Sequence, residues 1–285
     1  MKTKLLFLPL LFIGLLATSQ VSAQVVTANS QKVTTTRSSF EYSGHITYRL
    51  QTGFNLSKLS LSEDATDEVF GDEDFNRKTK GGFHLGVIAD IPFSLPIPVE
   101  LSIQTGLLYT MRGCKAALDY VDDDDAYEEH FKGKLSSHYF QIPIYPTYHY
   151  SFEKISLSAF TGPYIAIGLG GKCKTSGGGY YDKEMSDWYE DNYKLFGSEF
   201  KRGEYNEDKS DDVDDVIQGG NLGFRRFDIG WSLGVGVTWQ KIYFGLQYDW
   251  GLISMGRTGD NQLFDKGENA RIKNRNFSLS VGYLF

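Results

Sequence analysis

Six ionisable residues sit where an otherwise uncharged alternation leaves them conspicuous: Arg49, Asp90, Glu100, Arg112, Asp228 and Asp249. Each lies beside a large apolar residue, on the small and polar side of an extended run. Two arginines among four carboxylates could line an ion path or a binding cavity. They could equally form a paired polar core, because charges removed from water must be matched. Hydrolytic chemistry would need a nucleophile, a base and an orienting group together. Ser136, Ser137 and His138 offer the types, but neighbouring residues of a strand point to opposite faces, and no Gly-x-Ser-x-Gly occurs. His45, His84, His130 and His149 show no metal-ligand spacing. The acid-rich runs Asp122–Asp125 and Asp211–Asp215 offer oxygen ligands for calcium. Around the second run the EF-hand pattern fails: the sixth loop position is Val213 where Gly is required, and Gly219 stands where the bidentate Glu belongs. The sequence therefore calls for no metal, no cofactor and no enzyme.

The elements that must position these residues read as strands of period two. Phe277, Leu279, Val281, Tyr283 and Phe285 alternate with Ser278, Ser280 and Gly282. Phe227, Ile229, Trp231, Leu233, Val235, Val237 and Trp239 do the same against Gly, Ser, Thr and Asp228. Eight such runs are predicted, at about 46–57, 82–91, 99–111, 138–150, 155–169, 227–239, 242–252 and 276–285. Their connections alternate in length. Short ones lie at 92–98, 151–154 and 240–241; long ones lie at about 58–79, 113–134, 171–223 and 256–271. An even strand count with turns sorted by length is the layout of an all-β, eight-stranded, antiparallel up-and-down transmembrane barrel with four long outer loops and short periplasmic turns.

A soluble barrel could also alternate, so the polar face decides. Facing water it would be rich in Lys and Glu. Here it is dominated by Gly, Ser, Thr, Gln and Asn, which suit a narrow lumen, while Trp231, Trp239 and Trp250 suit an interfacial girdle. An eight-stranded barrel is only wide enough for side chains to fill, which favours a plug of paired polar groups over a pore.

The amino-terminal stretch agrees with export. Lys2 and Lys4, the apolar run Leu5–Leu16 and the small-x-small Val21-Ser22-Ala23 read as a secretory signal over residues 1–23. Residues 24–43, rich in Ser, Thr and Gln, read as a flexible periplasmic lead-in, and 44–285 as the barrel domain. A formal net charge of −7 argues against nucleic acid. The acid is concentrated in the long connections, with seven Asp/Glu against three Lys/Arg in 113–134 and thirteen against seven in 171–223. The longest connection also carries Tyr180, Tyr181, Trp188, Tyr189, Tyr193, Phe196 and Phe200. Such aromatics suit a glycan or protein contact, or pack the loop onto itself. Cys114 and Cys173, the two cysteines, each lie where a strand enters a long connection. A disulfide between them is expected if the segments around Gly113, Gly170 and Gly171 lean together across the intervening strand.

Gln141-Ile142-Pro143-Ile144, Gly162-Pro163-Tyr164, Phe227-Asp228-Ile229-Gly230 with Gly234-Val235-Gly236, and Tyr248-Asp249-Trp250-Gly251-Leu252 resemble, in order and spacing, the strand signatures of the PorT-type outer-membrane β-barrel family. The likeness covers about residues 44–285, and the connection at 171–223 is longer than the family pattern. It implies an eight-stranded barrel in the outer membrane, with a role in protein secretion for the family's named member. The ending through Tyr283 and Phe285 is similar to the closing strand that the barrel-assembly machinery reads. The expected partners are outer-membrane lipid, that machinery, and a surface protein or glycan at the loops. The expected function is surface recognition or a secretion-associated role. A rim-located lipid-modifying enzyme and a small-solute channel are the alternatives.

Overall fold

The computed structural model describes residues 45–62, 76–93, 95, 99–122, 127–181, 184–205, 215–264 and 271–285. The expected signal and lead-in lie outside them, as do residues 123–125 and 211–214 of the two acidic runs.

Eight strands close a ring: β1 (Thr47–Leu61), β2 (Asn76–Phe93), β3 (Glu100–Asp122), β4 (Tyr127–Phe152), β5 (Ile155–Tyr181), β9 (Phe227–Trp239), β10 (Ile242–Gly251) and β11 (Ile272–Leu284). Between β5 and β9 come three accessory strands, β6 (Glu184–Phe196), β7 (Glu204–Tyr205) and β8 (Asp215–Phe224). Each ring strand pairs antiparallel with its neighbours, and β1 meets β11 in the closing seam, with Leu50 opposite Tyr283 and Leu56 opposite Phe277. Two-residue turns at Glu153-Lys154 and Gln240-Lys241 join β4 to β5 and β9 to β10. Glu153 and Gln240 take the left-handed conformation that reverses the chain in so short a space (φ 49° and 55°).

Burial follows the alternation but inverts the soluble-protein pattern. Leu107 and Leu279 keep 48% and 53% of their surfaces exposed, as do comparable residues on every ring strand. Gln51, Asn55, Gln104, Gln141, Ser232 and Asn276 are buried inside. An apolar belt outside a polar core is stable only in lipid, where a closed ring also leaves no unpaired backbone edge. Small residues make room in the narrow lumen. A Cβ on Gly230 would stand 2.3 Å from the Tyr164 ring, and one on Gly234 would stand 2.2 Å from that of Phe160. The glycines of β9 thus seat aromatic side chains projecting from β5. Phe160 in turn stacks on Tyr145, with centroids 5.3 Å apart.

Two expectations need correction. The connection at 113–134 is largely strand, since β3 and β4 stay paired as far as Asp122 opposite Tyr127. The connection at 171–223 holds the outer part of β5, all of β6 and β7 and all but the last residue of β8, with β6 antiparallel to β5 and β8 parallel to β6. Apolar alternation ends where lipid ends, but backbone pairing continues into water. The outward residues there become Lys115, Lys132, Lys134 and Lys174 instead of Leu and Phe. Pattern reading, which follows hydrophobicity, stops too soon.

Candidate functional site: the lumen

Arg112, wholly buried, is the hub. It comes from the inward face of β3 just beyond the apolar belt and reaches across to β9 and β10. Its Nη1 lies 3.2 Å from Asp228 Oδ2, and its Nη2 lies 3.2 Å from Asp249 Oδ2. Nη1 also donates to the Tyr164 hydroxyl at 3.3 Å, and Nη2 donates to Gln141 Oε1. The rings of Tyr164 and Tyr139 lie against the guanidinium, with centroids 5.0 and 5.6 Å from Cζ.

Two asparagines share with Arg112 the Oδ2 atoms of the carboxylates. Asn274 donates to Asp228 at 3.0 Å and Asn276 to Asp249 at 3.1 Å, both from β11. Ser232 and Gln247 donate to the other oxygen of Asp249 at 2.7 and 2.6 Å. A buried cation between two carboxylates forms a paired ionic core, although Asp228 Oδ1 and Arg112 Nε make no hydrogen bond among the described residues, and none of its members can be removed singly without large cost.

The other three sequence-predicted residues stand apart from this hub. Arg49 lies 3.6 Å above the Tyr243 ring and donates to Gln51 at 3.1 Å. Glu100 accepts from Ser151 at 2.8 Å. Asp90 accepts from Gln104 at 3.0 Å and lies 3.4 Å from His149 Nε2, near the short-turn end.

Sequence reading missed two clusters. His84 bridges Asn55 (2.8 Å) and Ser280 (3.0 Å) at mid-lumen. Ser102 meets His149 Nε2 at 2.8 Å, which brings a Ser, a His and Asp90 together. The Ser and the carboxylate share one ring nitrogen, however. A relay needs them on opposite nitrogens, so this is a packed polar cluster rather than an activated nucleophile. The signal was available as parity, since Ser102, Gln104 and His149 all occupy the inward alternation. Partner identity was not.

Ser137 and His138 diverge as expected for neighbours. Ser137 points inward and donates to the Arg112 carbonyl at 3.2 Å, while His138 points outward to the Tyr109 hydroxyl at 2.5 Å.

Little space remains. Among Gln51, His84, Thr110, Gln141, Asp249 and Asn276 the cavity is about 10 Å³, room for about one water. Beyond Arg112 an apolar cluster packs over the outer mouth, drawing Leu59 from β1, Leu135 from β4, Leu195 and Phe196 from β6, Phe224 from β8, and Met255 and Phe264 from the segment after β10. Phe196, one of the loop aromatics, is thereby buried; the side chains of Tyr180, Tyr181, Trp188 and Tyr189 lie outside the described residues.

The disulfide expectation is corrected. Cys114 and Cys173 are free and pack at the edge of that cluster. Leu135 pairs with both, so one full strand separates them. Two strand spacings put their backbones about 10 Å apart, beyond the reach of a disulfide. Pairing on both sides of β4 prevents the lean that the bond needed. Burial pushes the Cys114 thiol up to about 11 and the Cys173 thiol up to about 12.

At the seam, Phe285 donates its backbone N–H to Tyr48 at 3.1 Å and stacks on that ring at 6.4 Å. Tyr283 projects outward below Lys241, whose Nζ lies 5.9 Å from the ring centroid.

Comparison with solved structures finds bacterial surface and outer-membrane proteins, each at low identity. Ail, the attachment invasion locus protein of Yersinia pestis, is 12% identical over 84% of this chain and 98% of its own, with a TM-score of 0.28. Neisserial surface protein A is 11% identical over 84% and 97%, with a TM-score of 0.27. OprG of Pseudomonas aeruginosa is 10% identical over 84% and 95%, with a TM-score of 0.25. No curated protein sequence matches the chain. A family model, "Outer membrane protein beta-barrel domain", matches residues 23–256. With the closed ring, the lipid-facing belt and the polar lumen, that match places the chain in the outer membrane as a member of the outer-membrane protein β-barrel domain family.

Proposed function

We propose that this protein is a closed, non-enzymatic barrel that works through the sheet it projects beyond the membrane, as a surface-recognition component. The observation that carries this reading is the division of the molecule. The lumen is filled by the Arg112–Asp228–Asp249 core and covered by the apolar cluster. Meanwhile β3, β4, β5 and β6 continue far past the lipid-facing belt. A barrel whose strands pair well beyond the membrane, and whose cavity beside Arg112's partners holds about one water, is suited to contact, not conduction. The resemblance to the PorT-type family adds a secretion-associated partner to the candidates, beside a surface protein or a glycan.

The test compares the intact protein with a variant trimmed to short turns at 115–134 and 172–223, both in whole cells. Crosslinked surface partners should be lost on trimming, while folded barrel remains detectable by its heat-modifiable gel mobility. Discrete unitary conductance of the intact protein in planar bilayers would support the channel instead. Release of fatty acid from outer-membrane lipid would support the enzyme.

A further inference from the structure

On the outer face just above the lipid-facing belt, four lysines stand in one cross-strand row. Lys78 on β2 is directly opposite Lys115 on β3, Lys115 is opposite Lys134 on β4, and Lys134 is opposite Lys174 on β5. The alternation along β4 fixes the side. Even-numbered residues from Lys132 through Lys134 to Phe140, Ile142 and Ile144 face outward, while Leu135, Tyr139 and Gln141 are buried. Directly opposed like charges destabilise a sheet. Here that unfavourable pairing recurs three times in succession, in a chain whose net charge is −7.

A further observation marks the row as a place for an anion. A surface trough of about 440 Å³ runs over the backbone of Ala116, Gly133 and Thr175, with this row along one side and Lys132, Ser176 and Glu190 along the other. Glu190 and Asp191 are the carboxylates among the described residues lining it, against five lysines. Lys80, opposite the buried Ser57, faces the lumen and is not part of this surface. Four exposed ammonium groups ranged directly opposite one another repel unless a negative group is shared among them.

We infer that this lysine row binds the phosphate groups of outer-leaflet lipid. The position selects a lipid over a soluble anion. From Met111, at the top of the belt on β3, to Lys115 is about 14 Å along the strand, or about 10 Å of height once the strand tilts. Lysine stems lie along apolar surface and carry their charge several ångströms towards the headgroups. The same height carries basic residues elsewhere on the wall: Lys172 three residues past Leu169, and Lys58 directly opposite Arg275. A phosphorylated lipid there would set its chains against the exposed belt and its phosphate among the ammonium groups, relieving their mutual repulsion.

The test uses the full chain in nanodiscs of phosphatidylcholine, with and without bis-phosphorylated lipid A, read by the temperature at which gel mobility shifts. Lipid A should raise that temperature for the wild type. The apparent affinity should fall by roughly fivefold for each lysine removed, and so by roughly a hundredfold in K115Q/K134Q/K174Q. K154Q/K241Q, altered in the turns at the opposite end, should behave as the wild type. Should the triple variant fail to assemble, K134Q alone carries the comparison. Equal stability of the wild type in the two lipids would overturn the inference. So would full protection by inorganic phosphate alone, which would indicate a free-anion site. Protection by heparin without any response to lipid A would assign the row to a sulfated glycan instead.

Discussion

Arg112 Nη1 and Asp228 Oδ2 lie 3.2 Å apart although 116 residues separate them in sequence. One comes from β3 and the other from β9, so the contact exists only when the ring has closed. With Asp249 on β10 it ties strands on opposite sides of the lumen, and the asparagines of β11 tie in the seam strand. Assembly of the barrel and satisfaction of its charges are therefore one event.

Replacing Arg112 with Met should leave two buried carboxylates uncompensated. The expected loss is about 3–5 kcal/mol, measured as a shift of the urea midpoint in detergent-refolded protein. The triple variant R112M/D228N/D249N, which removes the charges together, should recover most of it. Loss in the triple variant equal to that in R112M would show that the charges are not coupled.

Gly234 should resist even the smallest side chain. Its Cβ would stand 2.2 Å from the end of the Phe160 ring and 2.7 Å from the Leu246 carbonyl. Gly234→Ala should destabilise by about 1–3 kcal/mol through overpacking. Adding Phe160→Leu should restore part of this and not all, because the carbonyl contact is backbone. A neutral G234A, judged by the same urea midpoint, would mean that the lumen has slack.

The two thiols should be slow to react in the folded protein. Both are pushed up by burial, Cys114 to about 11 and Cys173 to about 12, so each is protonated at pH 8. An acid whose folded value is raised contributes stability below its unfolded value, about 8.5 for a free thiol. That contribution is lost progressively as pH rises from there through about 11 and 12. Iodoacetamide at pH 8 should label neither site quickly in the folded barrel. It should label both after denaturation without reductant, and mass spectrometry counts the adducts. Zero adducts on the unreduced, denatured chain would restore the disulfide.

What the sequence determined by itself is the wall. A period of two with one apolar and one small, polar face specifies strand, face and lipid exposure together, because a one-residue slip would turn every side chain to the wrong medium. The runs Phe227–Trp239 and Asn276–Phe285 were legible for this reason, and so was the inward placing of Arg112, Asp228 and Asp249. Parity says which side a residue faces and nothing about what it meets. Only closure of the ring set Arg112 between two aspartates, gave His149 both Ser102 and Asp90 on one nitrogen, and left Leu135 between the cysteines. Beyond the belt the sequence signal changes character. Water accepts either face of a strand, so hydrophobic alternation no longer reports the pairing that continues through β3, β4 and β5 to β6. The lysine row arises there from four residues spread across 78–174, brought opposite one another by register alone. Cross-strand register is a property of the assembled sheet, and no local stretch of chain encodes it.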